Sequence, residues 1–491
     1  MNILVIDIGT SSMRGILFTE EGRKLSVCQV RYQPIRYADG RIEQSSCDWP
    51  LFLEQIVKAV MEEARAKGEP VEALAVTAQR SAVIPVDREG KPLMDTIMWQ
   101  DRRNADICEE LKPYQDLIFE KSGAGINTVF SGSRMTWILR NCPDVKKKLY
   151  KFVNIPEYVI HHMTGNYVTD TTYGSRSHLM NLRERTWDGE LLRLFGIRED
   201  QLCVLQEPGS ICGRITREFA HRTGIAEGTP VISAGGDQQC ALIGQGVFRE
   251  GDLSIVAGTG GFLAGILDQV EEELPDGLIC NCSSVRGQYM LEANVLTCCS
   301  AFDWFCRNFY DWEDGVDYGR INEELRFLDG VVSSPVILPY FQGRSTPRWN
   351  SEAKAVFGEL TLAAGRKELL KALLEGICLE IRNNIRLFEK YIRIEKAYIS
   401  GGLTNSPVIN QMQSDVYGIP LFHMEDSETT ASGALMVALE RLQSCSSVET
   451  AFAKIRGHEK TECYQPRNDC FLAYEEKRKR MNQLYEKIYG I

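Results

Sequence analysis

The sequence predicts an α/β protein of two similar domains that face one ligand. Residues 2–18 read as a buried strand, a Gly-Thr-Ser turn and a return strand. Residues 253–267 repeat this pattern around a Gly-Thr-Gly turn, and two copies at half the chain length indicate two domains rather than a repeat array. The 491 residues are enough for about two to three domains. We expect a nucleotide to lie between the two domains.

The first turn carries residue types that can face phosphate. Asp7 follows a short apolar run, and Gly9 lets the backbone turn tightly. Thr10, Ser11 and Ser12 supply hydroxyl and amide groups that can face an anion. Taken alone, the segment is explained equally well by an ordinary β-hairpin in which Asp7 and Gly9 serve only the turn. The second copy of the pattern favours a phosphate site.

Composition and charge exclude several classes of function. The net charge of −11 and the pI near 5.3 argue against non-specific nucleic-acid binding, and we expect the basic runs 146–148 and 477–480 to be solvated helix faces. No apolar run approaches the roughly 18 residues that span a membrane, and the amino terminus enters a strand without a basic leader region. We therefore expect a cytoplasmic protein with neither a membrane nor a nucleic-acid partner.

The cysteines do not have the spacing of a metal site or a disulfide framework. Sixteen of them are scattered along the chain without a Cys-x-x-Cys pair, so we expect most to be small buried apolar residues. The pairs Cys280/Cys282 and Cys298/Cys299 are the candidates for redox activity. Packing is the favoured interpretation of both pairs.

Polar side chains follow a predicted strand of the first half. A helix with apolar residues every four positions is expected from Asp48, as its cap, to Gly68. The next strand, 72–77, runs into Gln79 and Arg80, at the carboxyl end where open α/β sheets bind ligands. A surface turn with a solvated Arg80 is the alternative.

Two later segments carry candidate sugar-binding and catalytic groups. Trp99 offers a flat wall to the C–H face of a sugar, with Asp101 and two arginines nearby to bond hydroxyls. A core tryptophan and a surface ion pair are the alternatives. The strand 229–234 runs through two glycines into Asp237 and an apolar helix, which places this carboxylate near a helix N-terminus. Without the other motifs, a simple N-cap with no chemistry is the favoured interpretation of this position.

The second half begins after a plausible domain boundary at residues 244–246. A strand at 397–400 runs into Gly401 and Gly402, which allow the backbone to approach a flat ring or ribose closely. Helices are expected in the second half at 368–389, from Pro407, at 428–442 and at 475–489.

Together these motifs resemble the FGGY carbohydrate kinases, a family of the actin/Hsp70/hexokinase superfamily, and within it the glycerol-kinase-like branch. The resemblance covers essentially the whole chain, and its motifs are weak singly but strong in this order. They are DIGTSSMR at 7–14, QR at 79–80, WQDRR at 99–103, FSGSRMTWIL at 130–139, GGDQQ at 235–239, GTGGF at 258–262 and GG at 401–402. P-loop and Rossmann interpretations fail because the chain lacks both glycine spacings.

The resemblance implies two ribonuclease H-like domains, 1–245 and 246–491, each with a mixed sheet flanked by helices. The active site would lie in the cleft between them. The first domain would carry the sugar site, the catalytic base and the first phosphate hairpin, and the second domain would carry the other phosphate hairpin and the adenosine site. The implied activity is transfer of a phosphoryl group from ATP, with Mg²⁺, to a terminal hydroxyl of a small polyol or ketose in carbohydrate catabolism.

The resemblance also implies roles for individual residues. Asp237 would be the catalytic base, and Mg²⁺ would be held by Asp7, through water, and by Asp237. The implied substrate-binding residues are Gln79, Arg80, Ser81, Trp99, Val129, Asp237, Gln238 and Phe262. The implied ATP-binding residues are Thr10, Ser11, Ser12, Arg14, Gly258, Thr259, Gly260, Cys299, Asp303, Gly401, Gly402, Asn405 and Ser406.

Several positions depart from the glycerol-kinase pattern. Ser81 replaces a Glu, and Val129 replaces a Tyr, that normally touch glycerol, which predicts a wider pocket and a substrate larger than glycerol. Arg134 replaces the usual Lys of the family's first signature. Near the nucleotide, Cys299, Asp303 and Ser406 also differ from the residues of the glycerol-kinase pattern. There are two alternative functions: a glycerol kinase proper, and an actin- or Hsp70-like ATPase without a sugar acceptor. The sequence leaves open whether the protein forms a homodimer.

Overall fold

The computed structural model describes residues 1–270, 274, 277–310, 316–424 and 428–490. The strands of the first half are β1 Asn2–Ile8, β2 Ser12–Thr19, β3 Lys24–Arg31, β4 Ile35–Arg36, β5 Ile42–Gln44, β6 Ala73–Ala78, β7 Ile84–Val86, β8 Thr96–Ile97, β9 Lys151–Val153, β10 Val168–Asp170, β11 Met180–Asn181, β12 Thr186–Trp187, β13 Val204–Gln206, β14 Ile211–Arg214 and β15 Pro230–Gly236. Those of the second half are β16 Asp252–Ala257, β17 Gly261–Leu267, β18 Ile279–Cys282, β19 Tyr289–Val295, β20 Val336–Leu338, β21 Val356–Gly358, β22 Lys396–Gly401, β23 Leu421–Met424 and β24 Thr461–Tyr464.

The α-helices of the first half are α1 Asp48–Lys67, α2 Ala105–Leu111, α3 Gln115–Ser122, α4 Ser131–Asn141, α5 Pro143–Lys148, α6 Ile155–Thr164, α7 Thr171–Gly174, α8 Gly189–Phe195, α9 Arg217–Thr223 and α10 Asp237–Gln245. Those of the second half are α11 Cys299–Tyr310, α12 Tyr318–Arg326, α13 Arg366–Phe388, α14 Pro407–Tyr417, α15 Thr429–Arg441, α16 Val448–Arg456 and α17 Asn468–Tyr489.

The first large sheet has the strand order β14-β15-β6-β1-β2-β3. β1 pairs antiparallel with β2 and parallel with β6, and β6 runs parallel to β15. Side chains of β1 alternate between two cores, because Leu4 and Ile6 pack with residues of α1 whereas Ile3 and Val5 pack with residues of α15. The strand is therefore buried on both faces, as its unbroken apolar run predicts.

The second large sheet repeats this arrangement in the order β18-β19-β17-β16-β22-β23-β24. Its hairpin β16-β17, parallel neighbours β22 and β23 and antiparallel edge strand β24 correspond to β1-β2, β6, β15 and β14. Residues of α11, α13, α14 and α17 complete its core. The internal repeat predicted from the two hairpins is thus confirmed by the sheet topology.

One helix of the second half belongs to the core of the first sheet. Ala434 of α15 lies in the same buried cluster as Val5 of β1. α15 also crosses α10 so closely that a Cβ added at Gly433 would overlap the carbonyl oxygen of Cys240. The large sheets lie on either side of the predicted division at residues 245 and 246, and the exact domain bounds stay a prediction.

The helix predictions hold with local corrections. The helices predicted at 368–389 and 428–442 are confirmed as α13 and α15, and the last helix, α17, begins earlier than predicted. The prediction that Asp48 caps α1 is wrong, because Cys47 occupies the cap position. The Asp48 carboxylate instead accepts a hydrogen bond from Nε2 of Gln44 at 2.9 Å.

The basic runs are predicted to be solvated helix faces. This prediction is confirmed for residues 146–148, which are exposed, and is wrong for the start of the run 477–480. Lys477 is only 2% exposed, and its Nζ lies 2.5 Å from Oε2 of Glu375 on α13. The reason is that α17 packs against α13 in the second core. A buried lysine needs such a carboxylate partner.

Most of the cysteines are buried, as the packing interpretation predicts, whereas Cys299 is half-buried. All sixteen carry free thiols, and Cys280, Cys282 and Cys298 are fully buried. The amide of Cys280 donates to the carbonyl of Gly123 at 2.8 Å, so this strand lies at the contact between the two halves of the chain.

Among the helices that the structure describes, none is long and apolar enough to cross a membrane.

Candidate active site

The carboxyl ends of three strands bring predicted site residues together. β1, β6 and β15 are parallel, so the residues that follow them meet at one edge of the first sheet. The side-chain Nε2 of Gln79 donates to the carbonyl of Gly9 at 2.9 Å, and Trp99 Nε1 donates to Thr10 Oγ1 at 3.3 Å. Asp237 follows β15 at the same edge.

The first hairpin holds a buried carboxylate. Asp7 pairs with Arg14 across β1 and β2, and Arg14 Nη2 lies 2.6 Å from Asp7 Oδ2. The other guanidinium nitrogen, Nη1, lies 2.7 Å from Oε2 of Glu428 in the second half. Burial raises the pKa of Asp7, and the Arg14 guanidinium opposes this rise. Residues 10–12 of the turn are exposed or half-buried, so the turn is accessible.

The second hairpin turn is anchored to the start of α11. The amide of Gly258 donates to the carbonyl of Gly260 at 3.0 Å, and the carbonyl of Thr259 accepts from the amide of Cys298 at 2.9 Å. A Cβ at Gly260 would lie 2.7 Å from the carbonyl oxygen of Val295, so a larger residue does not fit there. The side chain of Thr259 is exposed on this turn.

Asp237 is the first residue of α10, so the alternative that it is the N-cap is wrong. Its Oδ1 accepts from the amide of Gln238 at 2.8 Å and lies 3.8 Å from Nε of Arg80. Burial raises the pKa of Asp237 to about 6 against the opposing charge of Arg80. The neighbouring carboxylates of Asp7 and Glu292 add to this rise. Such a carboxylate is suited to accept a proton near neutral pH.

Arg80 is held by the opposite half of the chain. Its Nη1 lies 2.8 Å from Oε1 of Glu292 on β19, and Oε2 of Glu292 lies 2.9 Å from Nη1 of Arg176. The alternative of a solvated arginine on a surface turn is therefore wrong. Sequence reasoning missed Glu292 and Arg176. The one signal for Glu292 was an acidic residue inside an otherwise mainly apolar strand.

For the Trp99 segment, the alternative of a core tryptophan is wrong, and the ion pair of Asp101 with an arginine forms but is buried and not at the surface. Trp99 is 36% exposed, so it is not a core residue. Asp101 is fully buried, and its Oδ2 accepts from the amide of Ile42 at 2.7 Å and pairs with Arg103 Nη2 at 2.7 Å. This carboxylate fixes the shape of the loop and is not available to bond a sugar hydroxyl, contrary to the prediction.

Arg134 joins three of the segments that carry predicted sugar-binding residues. Its buried guanidinium donates from Nη1 to the carbonyls of Ser81 and Val129, both at 2.9 Å, and from Nη2 to the carbonyl of Trp99 at 2.5 Å. Ser81 has a φ of 70°, which is strained for a residue with a side chain. Sequence reasoning identified Arg134 only as a replacement for Lys and missed this role.

The predicted sugar-binding residues differ in accessibility. Ser81 is 3% exposed, and its hydroxyl donates to the carbonyl of Arg176 at 3.3 Å. Gln79 is also buried, which leaves it to hold the first turn. The exposed or half-buried members of the set are Arg80, Trp99, Val129, Asp237, Gln238 and Phe262.

The residues predicted to meet adenosine cluster where β22 ends. Cys299 Sγ donates to the carbonyl of Ala257 at 3.0 Å and would lie 3.2 Å from a Cβ at Gly402. Gly401 has a φ of 98°, and a side chain there would overlap the Ala257 carbonyl. The hydroxyl of Tyr318, which sequence reasoning missed, donates to the carbonyl of Gly402 at 2.8 Å.

Three further predicted nucleotide residues lie nearby. Ser406 is buried, and its Oγ accepts from the amide of Ile409 at 3.2 Å and bonds Asn322. It caps α14, whose first residue is Pro407 as predicted. Asp303 and Asn405 are exposed. Contacts of these side chains with a nucleotide stay predictions.

Two mixed sheets each carry a hairpin turn among their inner strands, and in the first half an accessible carboxylate, Asp237, follows a strand at the edge where Trp99 contacts the first turn. Such an arrangement can position the groups that phosphoryl transfer needs. Residues 2–244 match the N-terminal domain, and residues 253–440 the C-terminal domain, of the FGGY family of carbohydrate kinases. The chain belongs to this family.

Similar sequences and solved structures agree with this family assignment. The chain is 29% identical to the glycerol kinase of Thermococcus onnurineus over 473 residues, 93% of this chain and 94% of that one, and 30% identical to glycerol kinase 2 of Thermotoga maritima over 451 residues, 89% of each. The xylulose kinase of Rhodospirillum rubrum has the same fold, with a TM-score of 0.93, 21% identity and coverage of 100% and 99%. The Plasmodium falciparum glycerol kinase with ADP gives a TM-score of 0.90 at 25% identity, with coverage of 99% and 98%.

The predicted family and two-domain α/β fold are therefore confirmed. The protein is a carbohydrate kinase, a phosphotransferase that uses ATP and acts on a hydroxyl of a sugar or polyol. Family membership does not support the alternative of an actin- or Hsp70-like ATPase without an acceptor.

Proposed function

We propose that this kinase phosphorylates a terminal hydroxyl of a four- to six-carbon polyol or ketose in carbohydrate catabolism. The observation that carries the proposal is the grouping of Asp237, Arg80 and Trp99 at one edge of the first sheet. A carboxylate, a guanidinium and an indole are the groups that activate, bond and stack on a sugar.

Each group has a role in the proposed transfer. The sugar hydroxyl gives its proton to Asp237 as its oxygen attacks the γ-phosphorus, and the bond to the departing ADP oxygen breaks. The two hairpin turns, with Arg14 and Thr259, hold the phosphates, and Gly402 lies against adenosine. Such a transfer needs positioning and charge neutralisation more than covalent chemistry.

Magnesium fits the residues at this edge. Mg²⁺ usually binds one or two carboxylates together with waters and phosphate oxygens, and does not need a dedicated protein cage. In the part of the chain that the structure describes, no cluster of three or more metal ligands occurs. Asp7 and Asp237 are oxygen donors close enough for the charge of Asp7 to raise the pKa of Asp237. We propose that they hold Mg²⁺, which would neutralise phosphate charge.

The proposal of a substrate larger than glycerol rests on Ser81 and Val129, two positions that differ from the glycerol-kinase pattern. Ser81 has neither the length nor the charge of the Glu that it replaces, and its hydroxyl already bonds the Arg176 carbonyl. Val129 lacks the ring and the hydroxyl of a Tyr. A three-carbon ligand would leave polar groups such as Arg80 imperfectly paired, and each missing buried hydrogen bond costs about 1–3 kcal/mol.

The second candidate is glycerol kinase proper, and the relatives with that name favour it. ADP release measured against three- to seven-carbon polyols and ketoses decides between the two. We expect glycerol to have a kcat/KM roughly 10²-fold below that of the best longer compound, at 1.4 kcal/mol per decade. If glycerol equals or exceeds every longer compound, the wider-pocket proposal is wrong and glycerol is the substrate.

We also propose a cytoplasmic location, because ATP is the phosphoryl donor and every cysteine carries a free thiol. A nucleic-acid partner is not expected at a net charge of −11. The homodimer that the sequence leaves open is tested by the mass of the protein in solution.

A further inference from the structure

A chain of charged groups from both halves of the molecule ends at the proposed base. Arg176 Nη1 lies 2.9 Å from Oε2 of Glu292, and Oε1 of Glu292 lies 2.8 Å from Nη1 of Arg80. Arg80 Nε in turn lies 3.8 Å from Oδ1 of Asp237. Each carboxylate oxygen of Glu292 therefore holds one guanidinium, and Nδ2 of Asn281 donates a further bond to Oε2 at 2.8 Å.

The backbone fixes the place of Glu292 independently of these ion pairs. β18 pairs with β19, the strand that carries Glu292. The amide of Cys280 on β18 donates to the carbonyl of Gly123 at 2.8 Å, and the amide of Cys282 donates to Ser175 Oγ at 3.2 Å. The second half therefore delivers this carboxylate to the first half at a defined position.

In the part of the chain that the structure describes, Arg80 has two acidic neighbours, and its position depends on which one it pairs with. The direct pair is with Glu292, whereas the separation from Asp237 is an ångström longer. Without Glu292, Asp237 would be the nearest of the described carboxylates to this guanidinium. A direct pair there would occupy the oxygen that has to accept the proton and would turn Arg80 away from the sugar.

We propose that Glu292 is the positioning residue for Arg80. From the second half of the chain it holds the Arg80 guanidinium toward the sugar hydroxyls and away from Asp237, and Arg176 acts through Glu292. The inference rests on the proposed function, in which Arg80 binds the sugar and Asp237 is the base.

The substitution Glu292→Gln tests the inference because it keeps the shape and removes the charge. We expect a rise in the KM for the sugar and a fall in kcat, together about tenfold to hundredfold in kcat/KM, with the Kd for ATP within twofold of the unaltered enzyme. Glu380→Gln is the matched control, because Glu380 is a buried carboxylate 2.7 Å from Nε of Arg344, within the second half. It should lower the thermal stability and leave both kinetic constants unchanged.

The substitution Arg176→Gln tests whether Arg176 acts on the sugar site through Glu292 and not by direct contact with the sugar. We expect it to raise the sugar KM about three- to tenfold, because Glu292 keeps one partner and loses the other. Combined with Glu292→Gln, it should add no further loss, since Arg176 acts through Glu292. Should Glu292→Gln fail to fold, as judged by thermal unfolding and ATP binding, Arg176→Gln alone decides, and an unchanged sugar KM overturns the inference.

The outcomes for the two proposals differ. If no compound of the panel stimulates ADP release by the unaltered enzyme, the proposed function is wrong and the inference falls with it. If the unaltered enzyme phosphorylates a sugar and Glu292→Gln behaves like Glu380→Gln, only the inference is wrong. It is also wrong if the losses from Glu292→Gln and Arg176→Gln multiply in the double variant.

Discussion

At the scale of single residues, Asp237 carries the largest expected effect. Asp237→Asn keeps the size and polarity of the side chain and removes the base, so we expect turnover to fall about 10²–10⁴-fold with ATP binding nearly intact. Steady-state turnover and nucleotide titration measure the two effects. Asp252→Asn is the control, because Asp252 is a buried carboxylate 3.6 Å from Nζ of Lys396, a residue of the neighbouring strand β22. Asp237 is not the base if its variant keeps more than about a tenth of the turnover.

The environment of Asp237 also predicts a pH dependence. Burial raises its pKa to about 6, so the carboxylate takes up a proton at a higher pH than an ordinary Asp does. Only the deprotonated form accepts the sugar proton. We therefore expect kcat/KM to be constant well above pH 6 and to fall about tenfold per unit below it. A fall that begins only near pH 4 would contradict the raised pKa.

Arg134 allows a test of how the sugar-binding segments are held. Burial lowers its pKa to about 10, and the group stays charged at neutral pH. Arg134→Lys keeps the charge, but a single ammonium does not reproduce the fork that reaches the carbonyls of Ser81, Val129 and Trp99. We expect the sugar KM to rise about tenfold, from the loss of one charged hydrogen bond, while the KM for ATP stays constant.

The control for this prediction is Arg344→Lys, which alters a buried guanidinium that pairs with Glu380 in the second half. It should change stability without changing the KM for the sugar. If Arg134→Lys likewise lowers only the melting temperature, Arg134 has a structural role and does not set the sugar site.

At the scale of elements, the sequence does not reveal how closely α10 and α15 cross. Gly433→Ala puts a Cβ onto the carbonyl of Cys240, which forces the helices apart. We expect a loss of about 1–3 kcal/mol in the free energy of unfolding, together with lower activity because α10 begins at Asp237. Urea unfolding measures the first effect, and steady-state turnover measures the second.

Gly189→Ala is the matched control for the crossing. Gly189 starts α8, and the nearest atom to its added Cβ is the end of the Arg193 side chain at 3.8 Å. This substitution should be neutral or slightly stabilising. A Gly433→Ala variant as stable as Gly189→Ala would show that the two helices separate without cost.

At the scale of the whole molecule, two hairpin turns from two sheets have to meet one ATP. We expect sugar and a non-hydrolysable nucleotide together to close the cleft, which also excludes water from the transfer. The radius of gyration measured by small-angle scattering should decrease with both ligands present, and less with either ligand alone. An identical radius in all four states would contradict closure.

Much of the fold and part of the site follow from the sequence. The apolar run 3–6, the turn glycines and the repeated hairpin are recognisable because strand and turn formation depend on neighbouring residues. The parallel strands that precede Gln79 and Asp237 place both residues at one edge of a sheet, so this grouping is predictable as well. The prediction for Asp48 misplaced the helix start by one residue. The wrong predictions for Asp101 and Lys477 arose because Asp101 bonds the amide of Ile42, and Lys477 pairs with Glu375, on elements far away in the chain.

The sequence by itself therefore determined the class of fold, the duplicated hairpins and the carboxylate at the helix start. Only the tertiary structure decided that Glu292 holds Arg80 and Arg176, the latter 116 positions away in the chain. It also decided that Arg134 joins three loops and that α15 completes the core of the first sheet. The physical reason is that local order depends on residues a few positions apart. The partner of a buried charge depends on how the sheets and helices pack.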